Sequence, residues 1–334
     1  MVLTFRPEGI YCPAGEFYID PWRPVAHALI THGHSDHARP GHAHYLTTET
    51  AAPVIRHRLN PDSLETTGYA TQMQIGAARV SFHPAGHVPG SAQIRVEVAG
   101  EVWVVSGDYK TTPDNLSEPY EPVPCHAFIT ECTFGLPVFK WDAQDDVIAQ
   151  INAWWQNNKD AGRFSVLGAY ALGKAQRILA NVDASIGPIL THGAIENTNE
   201  VLRAQGFNLS DTRRVTPDLD VKAQKGALVI ATPSAMNNTW MRRFSGASTA
   251  FASGWMSMRG HRRRRSADRG FVMSDHADWD GLTMAIKATG AERIFVTHGY
   301  TSQFSRWLTD QGYDAGIVET EFEGESLDQQ DSVP

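Results

Sequence analysis

The heptapeptide Thr31-His32-Gly33-His34-Ser35-Asp36-His37 brings three histidines and an aspartate together directly after the apolar run Ala28-Leu29-Ile30. Imidazole and carboxylate are ligands that zinc and similar divalent ions favour. Alternate residues of an extended segment face the same way, so His32 and His34 can grip one ion. Asp36 and His37, past the turn, are then left for a second. His87 sits in the glycine- and proline-rich loop of residues 84–90, Asp108 follows the apolar run of residues 102–105, and His298 follows Ile294-Phe295-Val296-Thr297. A two-ion site needs about three protein ligands per ion plus a bridge, and a carboxylate can bridge because each oxygen takes one metal. These seven residues, drawn from four strand ends, meet that count.

Short apolar runs precede the strand-end residues: residues 28–30 before His32, 79–82 before His87 and 102–105 before Asp108. Strands whose carboxyl ends carry the chemistry are the layout of a layered α/β protein. Residues 142–158 read as an amphipathic helix, with Val147, Ile151 and Trp154 or Trp155 at helical spacing and the tryptophans in the core. Residues 164–167 and 226–232 read as buried strands, residues 168–182 as a turn entering a helix, and 279–288 as a helix before the strand at 293–297. Thr-His-Gly recurs at His32, His192 and His298 without surrounding self-similarity, so no repeat is indicated. His192 is expected to be structural or cap-lining.

At 334 residues the chain exceeds one ordinary core, and one large or two interleaved domains are expected. Hydrophobic residues at 42% and charged residues at 20% describe a soluble globular protein, with only the acidic stretch from about Glu319 expected to be poorly ordered. Cys12, Cys125 and Cys132 form no C-x-x-C pair, which fits a reducing cytoplasm. The start of the chain lacks an export signal, and no run of about eighteen apolar residues occurs, so neither export nor membrane spanning is expected.

Net charge is −8, but residues 240–270 carry eight arginines (Arg242, Arg243, Arg259, Arg262, Arg263, Arg264, Arg265 and Arg269) against Asp268, a local +7. Local field rather than net charge attracts a polyanion. The stretch Gly168-Ala-Tyr-Ala-Leu-Gly173-Lys174 matches a nucleotide-triphosphate loop, but Ala175 replaces the magnesium-binding hydroxyl, which argues against ATP. A glycine-rich turn at a helix N-terminus still favours anions. Lys174 is therefore a candidate nucleic-acid contact, with helix–sheet packing as the alternative.

On these residues the chain resembles the metallo-β-lactamase superfamily and, within it, the β-CASP nucleases that process DNA and RNA. THGHSDH, the loop around His87, and Asp108 match the superfamily motifs. Glu131 in FITECTFG, His276 in MSDHADW and His298 in VTHGY match the branch motifs. The resemblance runs from about residue 10 to residue 310. The stretches YCPAGEFYIDPW, GAYALGKAQRI and GWMSMRGHRRRR are most similar to the bacterial DNA-ligase-associated exonuclease group.

That resemblance implies an α/β metallo-β-lactamase αββα sandwich built from residues 1–140 and 271–334, with an inserted α/β β-CASP-like cap at 141–270. It implies two divalent ions, zinc first and manganese second. His32, His34 and His87 would hold one and Asp36, His37 and His298 the other, with Asp108 bridging. Asp36, Glu131 and His276 would carry catalysis, Glu131 buttressing His276 as general acid; Asp275 stands where relatives commonly have a small residue. Arg259, Arg262, Arg263, Arg264, Arg265 and Lys174 would contact nucleic acid, and Phe251 and Trp255 could stack bases. The implied activity is a cytoplasmic DNA exonuclease in end repair, functionally associated with a DNA ligase and with 5′-to-3′ polarity. An RNA-processing nuclease is the alternative. A small-molecule metallo-hydrolase and an inactive nucleic-acid-binding scaffold are less well matched, because the basic segment, Glu131, His276 and all seven ligand positions are present.

Overall fold

A computed structural model describes residues 1–258, 260 and 267–319. These fall into two units, Met1–Lys140 with the residues from His276 on, and Trp141–Asp275. Arg259 and Arg262 to Arg265, like the acidic stretch after Glu319, lie outside the described residues. No described helix is long and apolar enough to cross a membrane.

Two sheets build the first unit, with strands numbered in chain order. One holds β1 (Thr4–Arg6), β2 (Gly9–Cys12), β3 (Phe17–Ile19), β4 (His27–Leu29), β5 (His44–Thr48) and β6 (Leu64–Thr67), side by side in that order. It runs antiparallel from β1 to β3 and parallel from β3 to β6. The other holds β7 (Met73–Ile75), β8 (Ala78–Pro84), β9 (Ala92–Val98), β10 (Glu101–Val105) and β11 (Ala127–Glu131). Late in the chain it gains β18 (Arg293–Thr297) and β19 (Asp314–Ile317), in the order β19-β18-β11-β10-β9-β8-β7. Pairing is antiparallel from β7 to β10 and parallel from β10 to β19.

The apolar runs behave as strands covered on both faces. Trp103 and Val105 of β10 join Ile129 of β11 in a core shared with Ile10, Phe17, Ile19 and Leu29 of the other sheet. Val102, Val104 and Phe128 point the opposite way, as the two-residue period requires, onto Leu282 and Ile286 of helix Trp279–Thr289 and Phe304 and Leu308 of helix Thr301–Asp310. The outer face of the first sheet is covered in turn: Ala28, Ile30 and Tyr45 pack on Ala51 and on Ile55 of helix Ala52–Leu59. The layers are thus helix, sheet, sheet, helix. Each fully buried aliphatic side chain contributes about 1.5–3 kcal/mol of transfer free energy.

The second unit is organised by one sheet of β12 (Ser165–Gly168), β13 (Ile189–Thr191), β14 (Arg213–Arg214), β15 (Leu228–Ala231), β16 (Ser248–Ala252) and β17 (Arg269–Phe271). All pairings are parallel, in the order β14-β13-β15-β12-β16-β17. The helix expected at 142–158 spans Gln144–Asp160, and its tryptophans are core: Trp155 is fully buried with Nε1 donating to the Gly226 carbonyl at 2.9 Å. Trp154 Nε1 donates to Ser248 Oγ at 3.1 Å. Phe251 is also buried, at 4% exposure, so stacking a base on it would require the surrounding core to open.

Candidate metal centre

The loop that follows β4 starts from a fixed point. Ile30 donates its N–H to Leu46 across the sheet, and Thr31 donates its N–H to Asp20 Oδ1 at 2.8 Å. From there His32, His34 and His37 turn inward, with His32 and His37 almost wholly buried. His87 enters from the β8–β9 loop, where Ser91 Oγ accepts the His87 N–H at 3.0 Å. Asp108 enters from the end of β10 and His298 from the end of β18.

His32, His34, His87 and Asp108 form one group of potential metal donors, and His37, Asp108 and His298 a second, so Asp108 belongs to both. In the first group His34 Nδ1 is 3.0 Å from His32 Nε2 and 3.0 Å from His87 Nε2. Asp108 Oδ2 is 3.6 Å from His32 Nε2 and 3.7 Å from His87 Nε2. Four donors about 2.1 Å from a tetrahedral zinc lie about 3.4 Å from one another, so the spacing and donor chemistry fit such an ion. In the second group Asp108 Oδ2 is 3.3 Å from His37 Nε2, and Asp108 Oδ1 is 4.0 Å from His298 Nδ1. Asp36 stands at its edge, with Oδ2 3.9 Å from His37 Nε2. Among the described residues Asp108 Oδ1 accepts no hydrogen bond although it is buried. A buried carboxylate oxygen with spare acceptor capacity, facing imidazoles, is what a cation would satisfy.

Asp20 and Thr31 orient the rings, and sequence reasoning gave neither a role. Asp20 Oδ2 lies 2.7 Å from His37 Nδ1 and accepts the Thr31 hydroxyl at 2.5 Å. With that proton committed, Thr31 Oγ1 is an acceptor for His32 Nδ1 at 3.0 Å. Both imidazoles thereby carry the proton on Nδ1 and present Nε2 to the centre, the arrangement that carboxylate-backed metal histidines use. The available signal was an acid at the end of an apolar strand, Phe17–Ile19 before Asp20, the same pattern that singled out Asp108.

Charge and burial pull the cluster in opposite directions. Burial, reinforced by His37 and His87, pushes His32 well below the ordinary imidazole value. Burial also acts to lower His37, but Asp108, Asp36 and Asp20 outweigh it and hold the ring well above its ordinary value. For Asp108 burial acts upward, yet His37 and His276 hold the carboxyl well below the usual carboxylate range. Burial lowers His298, with Asp108 opposing it. Asp108, the one residue common to both donor groups, is thereby held ionised.

Beside this centre lies a carboxylate–histidine pair. His276 Nδ1 is 2.9 and 2.8 Å from the two Glu131 oxygens, and Glu131 Oε1 also accepts the Tyr109 N–H at 2.8 Å. Both side chains are buried, and the His276 ring stacks obliquely on His87 with centroids 4.6 Å apart. Glu131 and His276 also form a potential donor group with Asp108. The structure therefore brings six of the seven sequence-derived ligand candidates, together with Glu131 and His276, into donor groups of the first unit that share Asp108, and leaves Asp36 at their edge; His34 and Asp36 are partly exposed and the others buried.

The remaining candidates lie in the second unit. Lys174 is buried, its ammonium 3.5 Å from Asp275 Oδ2 and 4.7 Å from the centroid of the Tyr170 ring. A phosphate reaching Lys174 would have to displace that pairing. Asp275 also meets Arg177 Nη1 at 3.3 Å, and the same nitrogen donates to the Ser274 carbonyl at 2.6 Å, so the departure at position 275 is accommodated by two cations. His192 caps helix Gly193–Ala204, accepting the Ala194 N–H, and its ring meets Trp240 edge-on.

No protein-family model matches the chain. It is 28% identical over 316 residues, 93% of its length, to a probable DNA ligase of Opitutus terrae, of which it spans 30%. It is 27% identical over 234 residues to the endoribonuclease YSH1 of Mycosarcoma maydis, matching 54% of this chain and 26% of that protein. Over 124 residues it is 25% identical to the cleavage and polyadenylation specificity factor 73 of Drosophila melanogaster, 18% of that protein. The chain thus spans less than a third of each of these relatives. A protein of unknown function from Enterococcus faecalis V583 shares the fold at a TM-score of 0.58 and 11% identity, over 89% of this chain and 80% of that one. The chain has an α/β fold with mixed sheets and a buried His/Asp cluster consistent with a metallo-β-lactamase-like core.

Proposed function

We propose that the chain is a two-metal phosphodiesterase acting on DNA, a β-CASP-type nuclease that trims ends as an exonuclease in repair. The helix–sheet–sheet–helix unit would be its metallo-β-lactamase αββα domain, and the parallel-sheet unit an inserted β-CASP-like cap. The observation that carries this reading is the pair of donor groups sharing Asp108 beside a histidine held by Glu131. His32, His34 and His87 would hold one ion and Asp36, His37 and His298 the other. Two divalent cations in such a site supply an ionised water near neutral pH and counter-charge for an attacked phosphate.

The chain's own residues provide the rest. Asp20 fixes His37, and Thr31 fixes His32, so that neither ring turns away from the centre. Glu131 holds His276 by Nδ1, which leaves Nε2 to deliver a proton to the departing alkoxide oxygen; a histidine suits that task because it titrates near neutrality. Arg259 and Arg262 to Arg265 add positive charge in the chain segment of the proposed cap, and their part in gripping phosphates rests on sequence alone.

DNA is favoured by the relative that matches nearly the whole chain, a probable DNA ligase. RNA is the second reading, favoured by the partial relatives named as endoribonucleases. A time course on DNA and RNA oligonucleotides labelled at the 5′ or the 3′ end separates them. The expected result is progressive shortening of DNA from one end, slowed by about 100-fold or more in His276→Ala. Degradation of RNA alone would move the assignment to the second reading, and no cleavage of either polymer by metal-loaded protein would overturn the nuclease reading.

A further inference from the structure

His298 alone among the seven candidate ligands has a backbone in the left-handed region, with φ +54°, and Gly299 follows it there at φ +71°. A residue with a Cβ disfavours that region and stays only where its surroundings impose it. The surroundings here centre on Cys132. Glu131 and Thr297 form the last pair of the β11–β18 ladder, so Cys132 and His298 are the first residues beyond it on either strand. The Cys132 thiol donates to the His298 carbonyl at 2.8 Å and lies 3.3 Å from the Thr297 carbonyl. Its N–H donates to Thr297 at 2.9 Å, and its carbonyl accepts the Tyr300 N–H at 3.2 Å. Cys132 is fully buried, which keeps water from competing for these bonds. Gly299 closes on it so tightly that a Cβ there would lie 2.4 Å from the Cys132 carbonyl oxygen.

We infer that Cys132 is a positioning residue for the second ion: its thiol clamps the His298 carbonyl, fixes the left-handed turn, and so holds the imidazole beside Asp108. The inference rests on the two-metal reading above. A buried cysteine often serves only as a small hydrophobe, and the two roles differ in what a donor-preserving substitution does.

Stepwise zinc titration of chelator-stripped protein, with thermal unfolding of the stripped protein as a folding control, distinguishes them. Cys132→Val keeps bulk and removes the donor, whereas Cys132→Ser keeps a donor. Cys132→Val is expected to weaken one ion by about 10-fold or more, the same ion that is lost in His298→Ala, and to leave the other unchanged. Cys132→Ser is expected to bind both close to wild-type affinity. Wild-type affinity for both ions in Cys132→Val, or equal weakening in the two variants, overturns the inference. If Cys132→Val does not fold, Cys132→Ala is judged by the same two affinities. Wild-type protein that binds no ion overturns the metal reading itself, whereas two ions bound equally well by wild type and Cys132→Val overturn only the role of Cys132.

Discussion

At the scale of single residues, the candidate ligands stand out in the sequence because their chemistry is unusual at strand ends, while the residues that aim their rings do not. Asp20 is the clearest case. Its carboxylate meets Thr31 and His37 only because β3 pairs with β4 so that Ile19 faces Leu29, and no spacing rule encodes that register. Removing this carboxylate should free the His37 ring to rotate and its Nδ1 proton to move. Asp20→Ala is therefore expected to weaken binding of the ion at His37 by about 10–100-fold, measured by competition with a chelating indicator. Unchanged affinity would show that packing alone sets the ring. The turn at Lys174 suits either an anion or helix–sheet packing, and the carboxylate that sits against it, Asp275, is about a hundred residues away in the chain.

Elements were legible where apolar residues ran continuously or recurred at the helical period. The apolar runs of β10 and β18 announced strands because both faces are covered, and the helix beginning at Trp279 announced itself by period. Sheet order was not legible. β11 lies between β10 and β18, although the second unit separates β11 from β18 in the chain, and this non-local pairing is what brings His298 to Glu131 and Cys132. The turn after β10 shows how tightly such elements are set. Gly107 has φ +57°, and a Cβ there would lie 2.7 Å from the Thr31 side chain, whose hydroxyl orients His32. Gly107→Ala is expected to cost about 1–3 kcal/mol in urea unfolding of the metal-free protein, from backbone strain and the displaced threonine together. An unchanged unfolding midpoint would contradict that packing.

For the whole molecule, the charge distribution and the buried cluster point the same way. On the proposed reading, the local +7 within residues 240–270 of a chain at −8 would attract a polyanion, and the cluster in the other unit would activate water. Both expectations can be drawn from the sequence because charge and ligand type are compositional. The substrate cannot, since contacts that tell DNA from RNA depend on side-chain placement around the sugar. On the proposed function, the His/Asp cluster acts as a two-ion hydrolytic centre. The direct measurement is DNA cleavage by chelator-stripped protein as zinc or manganese is added back. No cleavage is expected without metal, activity should plateau at about two ions per chain, and Asp36→Ala and His37→Ala should show no recovery. Equal cleavage by stripped protein, or by those variants under matched metal, would contradict that function.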